Sequence, residues 1–271
     1  MLIEEAGENF ADYLRLRTEV FVDEQGVPHE REIDEYDTQN IPEITHLVCL
    51  DKDEVVGTLR IYCPEKKGTV YLQRITVKKI RRSQGIGAAL IRHAERYAAR
   101  EILPEHKEIR FEIGGQVDKV EFYRQFGYAV YGEPYVDGGL DHRHLTKTVK
   151  TDRYKHLVDY EPDYDWLWPE QGAQEIATLR AYVEMPESGA AQKTLDDYVS
   201  AVPTDENGVH GLGGWRIDPA TSPLDGEAAV AITSGGEDVA DGIQDGAESL
   251  VEALNGLAAT VYWQQLPRPI A

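Results

Sequence analysis

Apolar positions in the first half of the chain switch repeatedly between a spacing of two and a spacing of three to four. Residues 8–23 place Phe10, Tyr13, Leu14, Arg17, Val20 and Phe21 at helical intervals and stop before Gln25-Gly26-Val27-Pro28, which predicts a first helix followed by a loop. Residues 45–50, 54–62 and 69–77 are rich in β-branched and aromatic side chains, and Asp51-Lys52-Asp53 separates the first two, so they read as an antiparallel meander. Residues 85–100 carry Ile86, Leu90, Ile91, Ala94 and Tyr97 on one helical face. A strand over 109–113, a short helix over 117–126 closed by Gly127, and strands over 128–131 and 142–149 complete this half. The pattern predicts an α/β (α+β) domain over residues 1–150, with helices flanking a mixed central sheet.

Residues 151–173 lose this regularity, interleaving Asp, Tyr, Trp and Pro as in Asp163-Tyr164-Asp165-Trp166-Leu167-Trp168-Pro169, and read as a linker. Beyond it the expected elements are a strand over 176–184, a helix over 190–201, strands near 214–217 and 227–233, a helix over 239–254 and a strand over 258–264. The order βαββαβ is that of a ferredoxin-like domain, expected here over residues 174–271. The stretch 208–214 with His210 reads as a surface loop, because no strong strand precedes it and it carries no basic residue.

Charge sharpens the division. The first 150 residues hold 22 basic against 27 acidic side chains, and the remainder 6 against 22, for a formal net charge of −21. Such a surface repels nucleic acid and suits a high-salt cytoplasm, where acidity keeps a protein dissolved as salt screens charge. No stretch reaches the roughly 18 apolar residues of a membrane span, and the start has no basic segment followed by an apolar run. A cytoplasmic protein that binds no membrane is the expectation. Cys49 and Cys63 lie in or beside apolar runs and are expected as buried thiols.

Against this acidic background, residues 69–90 combine a strand, a basic turn and a helix start. Gly85 and Gly87 leave the backbone open, Lys78, Lys79, Arg81 and Arg82 supply positive charge, and a helix N-terminus directs amides at one point. That combination asks for an anionic ligand such as a pyrophosphate.

Arg82-Ser83-Gln84-Gly85-Ile86-Gly87 resembles the pyrophosphate-binding signature of the GNAT superfamily of acetyl-CoA-dependent N-acetyltransferases, and Phe122-Tyr123-Arg124-Gln125-Phe126-Gly127-Tyr128 resembles a later segment typical of it. A narrower resemblance is to the ElaA-like group, carried by Arg17-Thr18-Glu19-Val20-Phe21-Val22-Asp23-Glu24-Gln25, by Glu32, Asp34 and Asp37, and by His46 and His142. The likeness covers about residues 1–150; Ser83 stands where that group often has Gly, and Lys119 where many members have Ala or Asn. It implies a GNAT fold and acetyl-CoA as co-substrate, bound by the backbone of Ile75, Thr76 and Val77 and by the loop Arg82, Ser83, Gln84, Gly85, Ile86, Gly87 and Ala88.

Acyl transfer from a thioester to an amine requires a deprotonated amine, a polarised carbonyl and a protonated leaving thiolate. The resemblance gives the last task to Tyr123, whose other reading is a helix aromatic packed on the sheet, and the carbonyl to a backbone N–H near Val77. For the base, Glu24, Glu32, Glu112, His46 and His142 all remain open, with Glu24 and His142 carried as catalytic candidates and Gln25, Glu32, His46 and Glu112 as acceptor contacts. The acidic set Glu30, Glu32, Asp34, Glu35 and Asp37 would attract a cationic amine or serve as a solvated face. His142, His144 and Asp141 lack a completing ligand, so no metal is expected. The expected function is transfer of an acetyl group to a primary amine of a small molecule or peptide, in a possible homodimer; the alternative is a non-catalytic acyl-CoA sensor whose second domain mediates interaction.

Overall fold

The computed structural model describes residues 1–37, 41–151, 176–235 and 239–266. They fall into two compact units, each with its own sheet. Apart from Thr151, the expected linker with its run of tryptophans lies outside the described residues.

The first unit runs β1 (Leu2–Glu5), α1 (Phe10–Arg17), α2 (His29–Glu32), β2 (Ile44–Asp51), β3 (Glu54–Tyr62), β4 (Thr69–Val77), α3 (Ile86–Tyr97), β5 (Glu108–Gln116), α4 (Val120–Arg124), β6 (Ala129–Asp137) and β7 (Leu140–Lys150). Its seven strands are ordered β1-β2-β3-β4-β5-β7-β6. Only β4 and β5 pair in parallel, as expected where a helix, here α3, makes the crossover. β3 is buried from Val55 to Ile61, Thr58 and Arg60 included, which marks a strand covered on both faces. Tyr13, Leu16 and Val20 cluster with Val48, Leu50 and Val55 on one side. On the other, Gly57 admits α3: a Cβ there would lie 2.8 Å from Ile86 Cγ2 and 3.0 Å from Leu90 Cδ1. Cys49 and Cys63 are buried thiols.

Several expected boundaries moved. The first helix does not remain regular to residue 23; beyond Arg17 it loosens into a π-helical segment, Thr18–Glu24. The edge strand β1 and the single turn α2 were not expected, and β6 continues past residue 131 through Gly132 and Pro134, residues that read as breakers.

The second unit contains β8 (Ile176–Glu184), α5 (Ala190–Ala201), β9 (Gly211–Leu212), β10 (Trp215–Ala220), β11 (Glu227–Gly235), α6 (Val239–Leu254) and β12 (Thr260–Leu266). Its antiparallel sheet has the order β12-β8-β11-β10-β9. Setting aside the two-residue β9, this is the ferredoxin-like arrangement. The stretch expected as a plain loop around His210 thus contributes a short edge strand. Leu195, Ile243, Ala247 and Leu250 bury the helices against Leu179, Ala181, Ile217 and Ile232. Gly246 permits this approach, since a Cβ would come within 2.5 Å of Ile232 Cγ2 and 3.1 Å of the Trp215 ring.

Candidate active site

β4 and β5 are paired only from Thr69–Arg110 to Leu72–Ile113. Beyond that point β5 remains bonded to β7 while β4 stays with β3, so the two parallel strands part and form a fork. The cause is a bulge. The register between β3 and β4 shifts between Thr58 and Arg60, and Arg74 takes a left-handed φ of 52°, bending the strand.

A buried ion cluster holds that bulge. Arg74 Nε lies 2.9 Å from Glu32 Oε2 and its Nη2 3.2 Å from Asp34 Oδ2. Arg60 donates to Asp34 at 2.7 and 2.8 Å. Arg17, fully buried, binds Glu32 Oε1 at 2.5 Å, the Glu32 carbonyl at 2.7 Å and Asp37 Oδ2 at 2.9 Å. Burial works against the Asp37 charge, yet the Arg17 guanidinium, the Asp34 N–H and Arg60 together hold its carboxyl below the usual range. Glu32, Asp34 and Asp37 are therefore engaged by arginines. Glu32, expected among the acceptor contacts, is 2% exposed and braces the strand instead. His46 is likewise removed from the fork: it sits on β2 beneath α1, edge-on to Phe10 and Tyr13 at ring distances of 4.9 and 5.0 Å.

Along the open edge of β4, the Lys78 N–H bonds the Val56 carbonyl on β3 at 2.9 Å. Because successive residues of a strand direct their peptide groups to opposite edges, Val77 turns its N–H and C=O into the fork. There its carbonyl accepts from Arg82 Nε at 3.1 Å. The chain then passes Ser83 at φ 62° and Gly85 at φ 78° before entering α3. The helical ladder begins with the Ala89 N–H on the Gly85 carbonyl, leaving the amides of Ile86, Gly87 and Ala88 ahead of it, at the positive end of the helix dipole. A Cβ at Gly87 would stand 3.3 Å from Phe122 Cζ. The expected loop residues and the helix N-terminus thus form a cradle of backbone amides at the start of α3.

Tyr123, on α4, lies against the other arm. Gly115 makes room for its ring, 2.9 Å from where a Cβ would be. Burial, with a smaller contribution from Asp118, pushes the phenol pKa well above its ordinary value, and the hydroxyl makes no hydrogen bond within the described residues.

The segment between the first two helices spans the fork. Glu24 Oε2 pairs with Arg82 Nη2 at 2.9 Å, while Gln25 Oε1 accepts from Gln116 Nε2, at the end of β5, at 2.8 Å. Gln116 stands opposite His142 on β7, whose Nδ1 lies 2.8 Å from the Leu140 carbonyl. Since a carbonyl only accepts, Nδ1 carries a proton, and in the neutral ring Nε2 is then the acceptor nitrogen. Tyr135 stacks on His144 at 4.3 Å and on His142 at 5.5 Å. Glu112 is held by Arg110 and by the Tyr131 hydroxyl, and hydrogen bonding to it raises the Tyr131 pKa. The structure therefore brings Glu24 to the loop through Arg82 and joins Gln25 to the end of β5 beside His142, with Tyr123 against Gly115; Glu112 lies farther back on β5, where the strand is still paired with Tyr71 of β4. Sequence reasoning did not single out Tyr131, Tyr135 or Gln116 and weighed His144 only as a metal ligand, although the spacing of His142 and His144 by two places them on one strand face.

With this geometry in hand, the family model for the acetyltransferase (GNAT) domain matches residues 12–149. The chain belongs to the GNAT acetyltransferase family. The uncharacterized N-acetyltransferase YjcF of Bacillus subtilis is 35% identical over 141 residues, spanning 52% of this chain and 93% of YjcF. The B. subtilis protein YyaT is 29% identical over 136 residues, 50% of this chain and 86% of YyaT. Among solved structures, Escherichia coli ElaA covers 54% of this chain and 97% of its own at 22% identity, with a TM-score of 0.46. Among the described residues no helix is long and apolar enough to cross a membrane.

Proposed function

We propose that the protein is an N-acyltransferase that moves an acetyl group from acetyl-CoA to a primary amine by direct attack within a ternary complex. The observation that carries this reading is the fork itself: an unpaired β4 edge leads straight into the N-terminus of α3, with the Tyr123 ring of α4 packed against Gly115 on the facing strand. The amides of Ile86, Gly87 and Ala88 and the guanidinium of Arg82 suit a pyrophosphate. The Val77 C=O suits an amide N–H of a pantetheine arm lying along the strand.

In the reaction the amine nitrogen attacks the thioester carbonyl carbon, the C–S bond breaks, and two protons must be managed. The Val77 N–H is directed to polarise the carbonyl oxygen. His142 Nε2 takes the proton leaving the amine, because its partner nitrogen is held by Leu140 and its lone pair is available. Tyr123, whose phenol is protonated at neutral pH, gives its proton to the departing thiolate. Gln25 and Gln116 flank the acceptor side, and Glu24 keeps Arg82 at the mouth of the cradle.

The test is calorimetric titration with acetyl-CoA and desulfo-CoA at low and at multi-molar KCl, followed by thiol release across a panel of amines. Binding with thiol release on some amine supports the reading. Binding without turnover on any amine would make the protein an acyl-CoA sensor, and no binding in either salt would contradict it.

A further inference from the structure

Gly114 and Gly115 are the first residues of β5 beyond its last pairing with β4, and each gives up its side-chain space to a tyrosine. A Cβ at Gly115 would meet the Tyr123 ring; one at Gly114 would collide with the Tyr135 hydroxyl. Successive strand positions face opposite sides of a sheet, so the two tyrosines flank the mouth of the fork from opposite faces. Tyr123 has a task in the proposed transfer. Tyr135 does not.

Its placement is nonetheless built. Tyr131 stands opposite His144 and Tyr135 opposite His142, so β6 spends four residues where β7 spends two, and Gly132 at φ 64° allows that excursion. The bulge carries Tyr135 over Gly114, where its ring stacks on both His144 and His142 at interplanar angles of 20° and 28°. On this face lie Gln116 and His142, the side from which the amine would approach.

We infer that Tyr135 sets the acyl-chain length, closing the acceptor-side mouth so that an acetyl group fits beside Gly114 and a longer chain does not. This rests on the proposed transfer at the fork. A close-fitting apolar site discriminates one added methylene by roughly 10–200-fold, so a ring held by two histidines is a sufficient barrier, whereas a mobile side chain would not be.

The experiment measures affinity by calorimetry for free CoA, acetyl-CoA, butyryl-CoA and hexanoyl-CoA with wild type, Tyr135→Phe, Tyr135→Ala and Tyr135→Leu, expressing each thioester relative to free CoA of the same variant. Wild type and Tyr135→Phe are expected to favour acetyl-CoA over hexanoyl-CoA by about tenfold or more, and Tyr135→Ala to bring the two within about threefold, with Tyr135→Leu between. If Tyr135→Ala does not fold, a Leu variant with the wild-type ratio overturns the inference, as does a wild type that binds all three thioesters equally. Failure of wild type to bind free CoA would instead overturn the acyl-transfer reading beneath it.

Discussion

Arg82 Nη2 lies 2.9 Å from Glu24 Oε2 while Arg82 Nε holds the Val77 carbonyl, so one guanidinium ties the anion cradle to both the open strand and the loop that crosses the fork. A phosphate entering the cradle must compete with Glu24 for it. The pair is partly exposed, at 42% and 19%, and such pairs contribute about 0–1 kcal/mol. Glu24→Gln is therefore expected to raise CoA affinity by no more than about fivefold, and Arg82→Gln to lower it by about tenfold. Titration of both variants with CoA checks the signs; a weaker-binding Glu24→Gln would assign Glu24 to the ligand and not to the competition.

Ser83 occupies the left-handed region at φ 62° in the loop that leads into α3. A side chain there costs about 1 kcal/mol. Ser83→Gly is expected to gain up to that amount in urea denaturation, provided the looser unfolded chain does not offset it; an unchanged or lower midpoint would mean the serine is held by something that offsets the strain.

Arg17 is wholly buried between Glu32 and Asp37. Removing one member of such a cluster strands the others, so Arg17→Met should destabilise the first unit by about 3–5 kcal/mol. Urea unfolding measures it, and a loss below about 1 kcal/mol would place the cluster in a solvated setting.

His93 gives a pH signature. Burial first, then Arg96 and Arg100, pulls its pKa down to about 3, and Arg96 Nη2 lies 2.8 Å from its Nδ1. With the folded value depressed, the neutral ring's stabilising contribution is complete above the unfolded pKa near 6.5. It is lost as pH falls from there toward 3, with a limiting slope of about 1.4 kcal/mol per pH unit. Stability curves of wild type and His93→Gln between neutral pH and acid should diverge in that sense; parallel curves would contradict the assignment.

How much of this was legible in the chain follows from where the signal resides. β3 and β4 match the expected spans through their β-branched composition, and α5 and α6 through buried residues at helical spacing. β1 and α2 are too short to show a period, and the π-helical turns after Arg17 and Tyr97 have no local marker. The turn before α3 was readable because Gly85 takes a left-handed φ of 78°, whereas Gly87 is set by the approach of Phe122. Glu32, Asp34 and Asp37 were not: a solvated acidic face and a cluster clamped by arginines have the same spacing, and only the tertiary approach of Arg17, Arg60 and Arg74 separates them. Tyr135 reaches Gly114 through a bulge that no pattern in β6 announces.

The central claim is acyl transfer at the fork with Tyr123 as proton donor, and the direct measurement is thiol release by wild type and Tyr123→Phe at saturating acetyl-CoA and amine, alongside acetyl-CoA affinity. The account predicts that turnover falls by about 100-fold or more while affinity stays within about twofold, since the hydroxyl acts on the leaving thiolate and not on the bound thioester. Undiminished turnover by Tyr123→Phe would contradict it.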